Sequence, residues 1–252
     1  MDEVPRAAGF RGSPQMIEIR NAMALAAGLG TRMRPITNER PKALVEVGGK
    51  CLLDWTLDRY GAGGVERCVV NIHHFADQME AHLAARTGQP AITISDERGE
   101  VLETGGGVVK ALPELGSDPF FIANIDAIWE EAGAASLDSL RAVWDGAAMD
   151  ALLLLAPMDA TLGFDGPGDA FLETGGEVRF RGKAKSAPYA YAGVQILNPA
   201  ALAGRTVSRF SMMEVWREIA AEGRLHGVTL PAFWMHVGDP RALAEAEARL
   251  AR

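Results

Sequence analysis

Short runs of apolar residues recur between residues 22 and 156, and the stretches between them carry apolar residues at helical spacing. Runs of four to six residues bounded by turn residues indicate buried β-strands. Strands are predicted at residues 23–27, 67–72, 91–94, 120–125 and 151–156. Because strands alternate with helices at this spacing, we predict right-handed crossovers and an α/β fold, with a mostly parallel sheet and helices on both faces.

The predicted helices place apolar residues three or four positions apart, on one face. In the first of them Leu53, Leu57 and Tyr60 have this spacing, and a glycine-rich turn at residues 61–64 ends the helix. Ser136 is predicted to cap a later helix, because its hydroxyl can accept a hydrogen bond from a free backbone N–H. The remaining helical segments contain Met79 and Leu83; Leu137, Leu140 and Trp144; Met213, Trp216 and Ile219; and the residues from Pro240 onward.

The pattern changes after about residue 157, where glycine and proline separate short alternating strands. Residues 171–180 and 190–197 predict hairpins. No linker rich in serine or proline divides the chain, so we expect one domain over residues 21–252. Within it, residues 157–252 are expected to pack on residues 21–156 as a small mixed β/α lid.

Composition and charge limit the classes of function. Hydrophobic residues make up 48% and charged residues 23% of the chain, as in a typical globular domain. The net charge of -8 argues against nucleic acid or an anionic membrane as a partner. No apolar run reaches the roughly 18 residues of a membrane span, and residues 1–20 lack the apolar core of a signal peptide. We expect a cytoplasmic monomer or small homo-oligomer, with residues 1–20 as a leader that need not be ordered.

The two cysteines, Cys51 and Cys68, fall in no Cys-x-x-Cys or zinc-ligand spacing. A chain of 252 residues can bury a core large enough to fold without disulfides or a metal. From their spacing, neither a disulfide framework nor a structural zinc site is expected.

The strongest chemical signal follows the first predicted strand, where residues 25–35 read LAAGLGTRMRP. Gly28 and Gly30 allow backbone N–H groups to turn toward an anion, and the cations Arg32, Arg34 and Lys42 can neutralise its charge. The segment therefore predicts a phosphate-binding loop. The alternative is a pair of turn glycines beside surface cations.

The loop does not match the two common glycine signatures. A Gly-x-Gly-x-x-Gly motif would need glycine at Met33, and the Walker pattern would need lysine directly after Gly30. An NAD-dependent oxidoreductase is therefore excluded, since the third glycine and the acid about twenty residues further on, at the end of the next strand, are both missing. The one nearby acid, Glu46, belongs to the segment after the Pro-Lys pair.

The segments LAAGLGTRMRP and PKALVEVGGK resemble the signature of the sugar-phosphate nucleotidyltransferases, which is a Gly-x-Gly-Thr-Arg loop followed by Pro-Lys. Within this family the chain looks most like the short bacterial uridylyltransferases for N-acetylmuramic acid 1-phosphate and their mannose 1-phosphate guanylyltransferase relatives. The resemblance continues, in the same order, through residues 69–76 (VVNIHHFA), 103–108 (ETGGGV), 121–126 (FIANID) and 234–240 (WMHVGDP).

The resemblance implies a Rossmann-like fold of the nucleotide-diphospho-sugar transferase type, with the nucleotide bound by residues 21–156 and the sugar by residues 157–252. It also implies a reaction between a nucleoside triphosphate and a sugar 1-phosphate that gives the nucleotide sugar and pyrophosphate, with Mg²⁺ as cofactor. Arg32 and Lys42 would be catalytic, because two cations can stabilise charge on the transferred phosphate and on pyrophosphate. The implied nucleotide contacts are Leu25, Ala26, Ala27, Gly28, Gly30, Thr31, Arg32, Asn71, Thr104 and Gly105. The implied sugar-phosphate contacts are Asp169 and Gly193.

The same resemblance implies that Asp126 binds Mg²⁺, a hard cation that prefers oxygen ligands. The family's second metal aspartate falls at the position of His236 in this sequence. Histidine is a poor ligand for Mg²⁺. Three outcomes are therefore open: Asp126 and phosphates hold the metal alone, Asp239 replaces the missing aspartate, or the metal preference differs.

Two further groups of residues have alternative interpretations. Four cations lie at Arg179, Arg181, Lys183 and Lys185, and on one strand they would share a face suited to an acidic sugar. A solvated hairpin surface is the alternative. The pair at residues 73–74, two histidines, is interpreted as a loop lining and not as a metal site, because no matching ligand cluster accompanies it.

Competing functions remain. A nucleotide-binding regulatory protein without catalysis would account for His236, but Arg32, Lys42 and Asp126 are all present and argue against it. Transfer from GTP to mannose 1-phosphate is the alternative within the enzyme class. Only about a dozen residues follow Pro240, so we expect no C-terminal acyltransferase of the kind found in longer family members.

Overall fold

The computed structural model describes residues 17–131 and 135–252, and within these ranges the chain forms fourteen β-strands and six α-helices. The first sixteen residues of the predicted leader lie outside the described residues, as do residues 132–134. The strands are β1 (Asn21–Leu25), β2 (Glu46–Val47), β3 (Lys50–Cys51), β4 (Arg67–Ile72), β5 (Ala91–Asp96), β6 (Phe120–Asn124), β7 (Ala127–Trp129), β8 (Ala151–Pro157), β9 (Thr161–Leu162), β10 (Ala170–Leu172), β11 (Val178–Phe180), β12 (Tyr189–Leu197), β13 (Leu225–Thr229) and β14 (Trp234–His236). The helices are α1 (Leu52–Ala62), α2 (Ala76–Ala85), α3 (Glu103–Leu115), α4 (Ala135–Val143), α5 (Met212–Ala221) and α6 (Pro240–Leu250).

Nine strands form the central sheet, whose main path runs β11-β10-β12-β6-β1-β4-β5. The pairs of β1 with β4, β1 with β6 and β4 with β5 are parallel, as the alternating pattern predicts. β12 is antiparallel to both β6 and β8, and β13 extends the sheet parallel to β8. The second half of the chain therefore completes the same sheet that the first half begins.

Apolar residues of the central strands alternate between the two faces of the sheet. In β1, Ala22 and Ala24 belong to one buried cluster and Met23 to the other. The first cluster includes residues of α1, α2, α4 and α6, and the second includes residues of α3 and α5. Helices thus cover both faces, because the period-two alternation of buried side chains gives each face its own core. This confirms the predicted fold class.

The first strand begins and ends two residues earlier than predicted. Backbone order already begins before the strand: Ile19 is buried, and the carbonyl of Arg20 accepts hydrogen bonds from the N–H groups of Glu66 and Arg67 at 2.8 and 3.1 Å. The prediction that the leader extends to residue 20 is therefore wrong for residues 17–20. The apolar run alone does not show which of its residues form hydrogen bonds with the neighbouring strands.

The predicted cap at Ser136 is wrong. Ser136 lies inside α4, where its backbone N–H and its hydroxyl donate to the two carboxylate oxygens of Glu131 at 2.7 and 2.8 Å. Glu131 thus supplies the acceptor that was assigned to the serine. A carboxylate near a helix N-terminus also interacts favourably with the helix dipole.

β7 of the first half and β9 and β14 of the second half form a small sheet that the sequence did not predict, with the order β7-β14-β9. Its strands have two or three residues each, which is too short for a visible alternation. The register pairs His236 of β14 with Ala127 of β7. This small sheet therefore brings the C-terminal segment beside Asp126. In the described part of the chain, no helix is both long and apolar enough to cross a membrane.

Candidate active site

A cavity of about 520 Å³ opens at the carboxyl ends of β1, β4 and β6, the edge where open α/β sheets bind ligands. It brings together most of the residues implied by the sequence. The lining includes Leu25, Ala26, Ala27, Gly28, Gly30, Thr31, Arg32, Lys42, Asn71, Thr104 and Asp126. It also includes Leu29, Glu97, Val101, Glu103, Asn124, Ile125, Ser211 and Gly238.

The conformation of the glycine loop requires a residue without a side chain at Gly30. This residue has a φ of +62°, and an added Cβ would lie 2.9 Å from the Cβ of Lys42. Thr37 donates its hydroxyl to the Gly30 carbonyl at 2.8 Å. Met33 is fully buried, so the position that a Gly-x-Gly-x-x-Gly motif would fill with glycine belongs to the core. Arg32, by contrast, is exposed and borders the cavity.

Asn71 joins the end of β1 to the opposite wall of the cavity. Its side-chain Oδ1 accepts hydrogen bonds from the backbone N–H groups of Ala26 and Ala27 at 2.6 and 3.2 Å. Its Nδ2 donates to Glu97 at 2.9 Å. The amide orientation of Asn71 is thereby fixed on both sides. This residue was predicted to contact the nucleotide, and the structure places it in the lining with its amide engaged by the protein.

Glu97 is the main site residue that the sequence analysis missed. It follows β5, is only 2% exposed, and its Oε2 has no hydrogen-bond partner among the described residues. Burial raises the pKa of Glu97, and this effect outweighs the hydrogen bond from Asn71 and the nearby backbone N–H of Leu102. An acid three residues after the predicted strand at 91–94 was the one sequence signal for this position, although it could not show that the side chain is buried.

Lys42 and Asp126 form an ion pair at the other end of the cavity. The Lys42 Nζ lies 2.6 Å from the Asp126 Oδ2, and the lysine is 8% exposed. Burial alone would raise the pKa of Asp126, but the Lys42 ammonium and the His236 imidazole hold it well below its usual range. The carboxylate is therefore ionised at neutral pH. The fold brings the two predicted residues into direct contact.

His236 lies beside this pair in an orientation that suits a metal ligand. Its Nδ1 is 3.3 Å from the Gly163 carbonyl, which can only accept, so Nδ1 carries the proton of this bond. Its Nε2 lies 3.4 Å from the Asp126 Oδ2, an oxygen that also only accepts, so this contact favours a proton on Nε2 that a bound metal would have to displace. Metal-binding histidines commonly donate the other ring N–H to a carbonyl in this way.

Asp239 has a different position from the one considered in the sequence. Its Oδ1 accepts a hydrogen bond from the N–H of Ala242 at 2.9 Å, so it caps α6. It is not part of the cavity lining. The alternative in which Asp239 replaces the missing aspartate therefore has no support in the geometry.

The three glycines after Thr104 lie against other parts of the protein, where a side chain would not fit. A Cβ at Gly105 would lie 2.2 Å from the ring of Phe210, and one at Gly106 would lie 1.9 Å from the Ser208 carbonyl oxygen. At Gly107 it would lie 2.9 Å from Glu97. Thr104 lines the cavity, but Gly105 does not. Protein backbone and side chains therefore fill the space beside these glycines, and of the two implied nucleotide contacts in this run only Thr104 borders the cavity.

The two predicted sugar-phosphate residues lie beyond this cavity lining. Asp169 Oδ2 accepts a hydrogen bond from the Tyr191 N–H at 2.9 Å, which holds the segment before β10 against β12. Gly193 has a φ of +86°, within the register shift of β12, and a Cβ there would lie 2.7 Å from the Cβ of Ala127. Gly193 therefore lets β12 pass close to Ala127, directly after Asp126, and Asp169 holds β12 to the segment before β10.

The four cations of the second half do not share one strand face. β11 ends at Phe180, so only Arg179 lies in a strand, where it pairs with Glu173 at 2.7 Å. Arg181 donates to the carbonyls of Gly168 and Ala184 at 3.0 and 2.9 Å. Of the two interpretations, a shared cationic strand face does not agree with the structure, because the chain turns after Phe180.

The histidine pair after β4 lies close to the cavity wall. The ring Nδ1 of His73 lies 2.6 Å from the carbonyl of Glu97, so this nitrogen donates the hydrogen bond. His74 packs its ring against Phe75, with centroids 4.1 Å apart. His73 therefore helps to hold the segment that carries Glu97.

An α/β sheet with a glycine loop, a buried lysine and a strand-end aspartate at its carboxyl edge is the arrangement of a nucleotide-binding transferase. The profile of the MobA-like NTP transferase domain matches residues 22–159. The chain belongs to this family. The predicted class of enzyme, a nucleotidyltransferase, is confirmed together with the fold.

Individual relatives agree with this assignment. The chain is 53% identical, over 233 residues, to the N-acetylmuramate alpha-1-phosphate uridylyltransferase of Caulobacter vibrioides, covering 91% of this chain and 96% of that protein. It is 30% identical to the mannose-1-phosphate guanyltransferase of Aspergillus fumigatus, covering 87% of this chain and 61% of that protein. The fold is similar to that of a solved UDP-glucose pyrophosphorylase complexed with UDP-glucose, with a TM-score of 0.73 at 15% identity, covering 93% of this chain and 99% of that one.

The burial of Glu97 predicts a pH-dependent stability. Its pKa is higher in the folded protein than the value of about 4.3 for an unfolded chain. The stability contributed by its protonated form is therefore fully present below about pH 4 and is lost as the pH rises through the folded-state pKa. We expect the unfolding free energy of the wild type, relative to that of Glu97→Gln, to fall as the pH rises above about 4.

Urea unfolding at a series of pH values measures this difference. The exposed Glu100→Gln variant controls for the change in net charge within the same loop. A wild-type to Glu97→Gln difference that stays flat or rises with pH would contradict the inferred direction of the pKa shift.

Proposed function

We propose that this chain transfers UMP from UTP to N-acetylmuramic acid 1-phosphate and releases pyrophosphate. The observation that carries the substrate assignment is the 53% identity to the Caulobacter vibrioides protein, whose name gives this activity, over nine-tenths of the chain. The cavity supports the proposal, since it holds Arg32, Lys42 and Asp126 near the glycine loop and a polar wall at Asn71 and Glu97. Residues 21–156 would bind the nucleotide, and residues 157–252 would complete the sugar side.

In the proposed reaction an oxygen of the sugar 1-phosphate attacks the α-phosphorus of UTP. The new O–P bond forms as the bond between the α-phosphorus and the bridging oxygen to pyrophosphate breaks, and pyrophosphate leaves with that oxygen. Such a reaction depends on positioning and on charge neutralisation. The N–H groups of the glycine loop would bind the triphosphate, with Arg32 and Lys42 neutralising the charge that develops on it.

A divalent cation, which the family uses, fits the residues present. The Asp126 carboxylate is ionised, and the Nε2 of His236 faces the same carboxylate oxygen at 3.4 Å. We propose that these two side chains hold the ion together with phosphate oxygens, and that the ion is Mg²⁺. When bound, the cation would offset negative charge on the phosphates. The imidazole in place of a second carboxylate makes Mn²⁺ a suitable alternative, because imidazole is a softer ligand than carboxylate.

A pyrophosphate-release assay tests the substrate proposal. UTP, GTP, CTP, ATP and dTTP are each combined with N-acetylmuramic acid, mannose and glucose 1-phosphates in the presence of Mg²⁺. We expect one strongly preferred pair, UTP with the muramic sugar. A preference for GTP with mannose 1-phosphate would replace the substrates and retain the enzyme class. Nucleotide binding without turnover on any pair would favour a regulatory role.

Arg32 is expected to act on the rate and not on the fold, because its side chain is exposed at the edge of the cavity. We expect Arg32→Ala to lower kcat by about 10²–10³-fold, the usual effect of removing one preorganised group at developing charge. The measurement is steady-state kinetics with the preferred substrate pair.

Arg34→Ala is the matched control, since Arg34 is an exposed arginine two residues away that does not line the cavity. It should retain kcat within a few-fold of the wild type. Near-wild-type turnover of Arg32→Ala, with its thermal unfolding unchanged, would remove Arg32 from the mechanism.

Asp126→Asn tests the cation site. Loss of a residue that only supports a metal ligand typically weakens metal binding by about 10–100-fold. Loss of the ligand Asp126 itself should therefore raise the Mg²⁺ concentration for half-maximal activity by at least about tenfold, or abolish activity. Titration of activity with Mg²⁺ and Mn²⁺ measures the effect. Asp239→Asn is the control: it weakens the cap of α6 and should leave the metal dependence unchanged. Equal metal dependence in wild type and Asp126→Asn would locate the cation elsewhere.

A further inference from the structure

A second group of ligand-type side chains lies away from the cavity, where β3 meets α1. It consists of Cys51, Asp54 and His82, and it is the one cluster of three such residues found within residues 17–131 and 135–252. One ligand atom from each residue lies within 4.8 Å of the others. None of the three lines the cavity described above.

We propose that Cys51, Asp54 and His82 form a zinc-binding site that connects the start of α1 to α2. Cys51 directly precedes α1, Asp54 lies in its first turn, and His82 lies in the last turn of α2. A thiolate, an imidazole and a carboxylate are all ligands that zinc accepts in proteins. The site goes beyond the transferase reaction and does not depend on it.

Two of the three distances between the ligand atoms are close to those of tetrahedral coordination, and the third lies within 4.8 Å. The Cys51 Sγ lies 3.6 Å from the His82 Nε2, and this nitrogen lies 3.1 Å from the Asp54 Oδ1. Usual zinc bond lengths and a tetrahedral angle give about 3.6 Å between sulfur and nitrogen and about 3.4 Å between nitrogen and oxygen. Only a small movement of these side chains is therefore needed to surround one ion, with a water as fourth ligand.

Binding of a dication requires Cys51 to lose its proton. The cysteine is buried, and this burial raises the pKa of its thiol to about 12, although the backbone N–H groups of Asp54 and Leu53 favour the thiolate. The thiol is thus protonated before the metal binds. As the S–Zn bond forms, the S–H bond breaks and the proton leaves to solvent, so binding releases one proton from the cysteine for each ion.

Arg86 is the group that competes with a metal for Asp54. Its guanidinium donates to the Asp54 Oδ1 at 2.8 Å and, through its other nitrogen, to Asp58 at 2.6 Å. Because Asp58 remains available, Arg86 keeps a carboxylate partner when Asp54 turns toward the ion. His82 is about one-third exposed, which leaves a route from solvent to the site.

The spacing of the ligands explains why no sequence motif indicates this site. Zinc motifs are recognised by two close pairs of cysteine or histidine residues. Here two ligands lie three positions apart, and the third comes from the next helix, thirty-one residues after Cys51. The cluster forms because α2 packs beside the start of α1, and not because the three residues are close in sequence.

Cobalt and zinc titrations of the untagged full-length chain test the proposal. Metal is first removed with a chelator, and excess Mg²⁺ is then kept present to saturate the Asp126 site. We expect one Co²⁺ per chain with a sulfur-to-cobalt charge-transfer absorption, and displacement of that absorption by one equivalent of Zn²⁺. At about 100-fold excess over its Kd, zinc should raise Tm by roughly 5–10 °C.

Three variants make the test specific. Cys51→Ala and His82→Ala should lose the cobalt–sulfur absorption and the zinc-dependent rise in Tm. Cys68→Ala is the matched control, because Cys68 is buried in β4 and should leave both signals intact. His82→Ala removes a partly exposed side chain, so it remains informative if Cys51→Ala fails to fold. The proposal is overturned if the wild type shows no cobalt–sulfur absorption, or if His82→Ala retains it at wild-type affinity.

Discussion

The structure depends on how the carboxyl end of β1 leaves the sheet. There the N–H groups of Ala26 and Ala27 have no strand partner, and a buried N–H without an acceptor costs about 1–3 kcal/mol. The side chain of Asn71 accepts from both, at 2.6 and 3.2 Å. Because the acceptor is a side chain, β1 can end here without a neighbouring strand that continues beside it. The following residues can therefore turn, and the loop from Gly28 to Thr31 faces the cavity instead of pairing.

The need for this acceptor also determines the opposite wall of the cavity. Asn71 is held by Glu97, so the segment after β5 must come close to β4. α3 packs over both side chains, and it can do so only because Gly107 has no side chain to collide with them. Its neighbours Gly105 and Gly106 have the same role toward residues 208–210, with both N–H groups donating to the carbonyl of Phe210. Asn71 thus links the glycine loop to the buried acid, and α3, which covers both side chains, contacts residues 208–210 of the second half.

The parallel sheet and the position of the glycine loop at its edge could be predicted from sequence because each depends on local pattern. Apolar runs fix the strands, and Gly28, Gly30 and the nearby cations mark the loop. The role of the glycine run and the buried position of Glu97 could not be predicted, since both depend on segments that meet only in the folded chain. Ser136 shows the same limit: the acceptor for its helix is Glu131, five residues earlier. Local spacing identifies a chemical group, whereas tertiary packing decides what that group contacts.

A chain with a net charge of -8 can bind a polyanion only where the local field is positive. Lys42 supplies that field from a buried position, and a buried ammonium must be paired. In the structure its partner is Asp126, at 2.6 Å. A phosphate oxygen carries the same sign of charge as the carboxylate, so in the proposed reaction Lys42 can exchange one anionic partner for the other without being left unpaired. That exchange would free Asp126, with His236 beside it, for the cation that accompanies a nucleoside triphosphate. The ion pair therefore keeps both groups charged and in place before the substrates arrive.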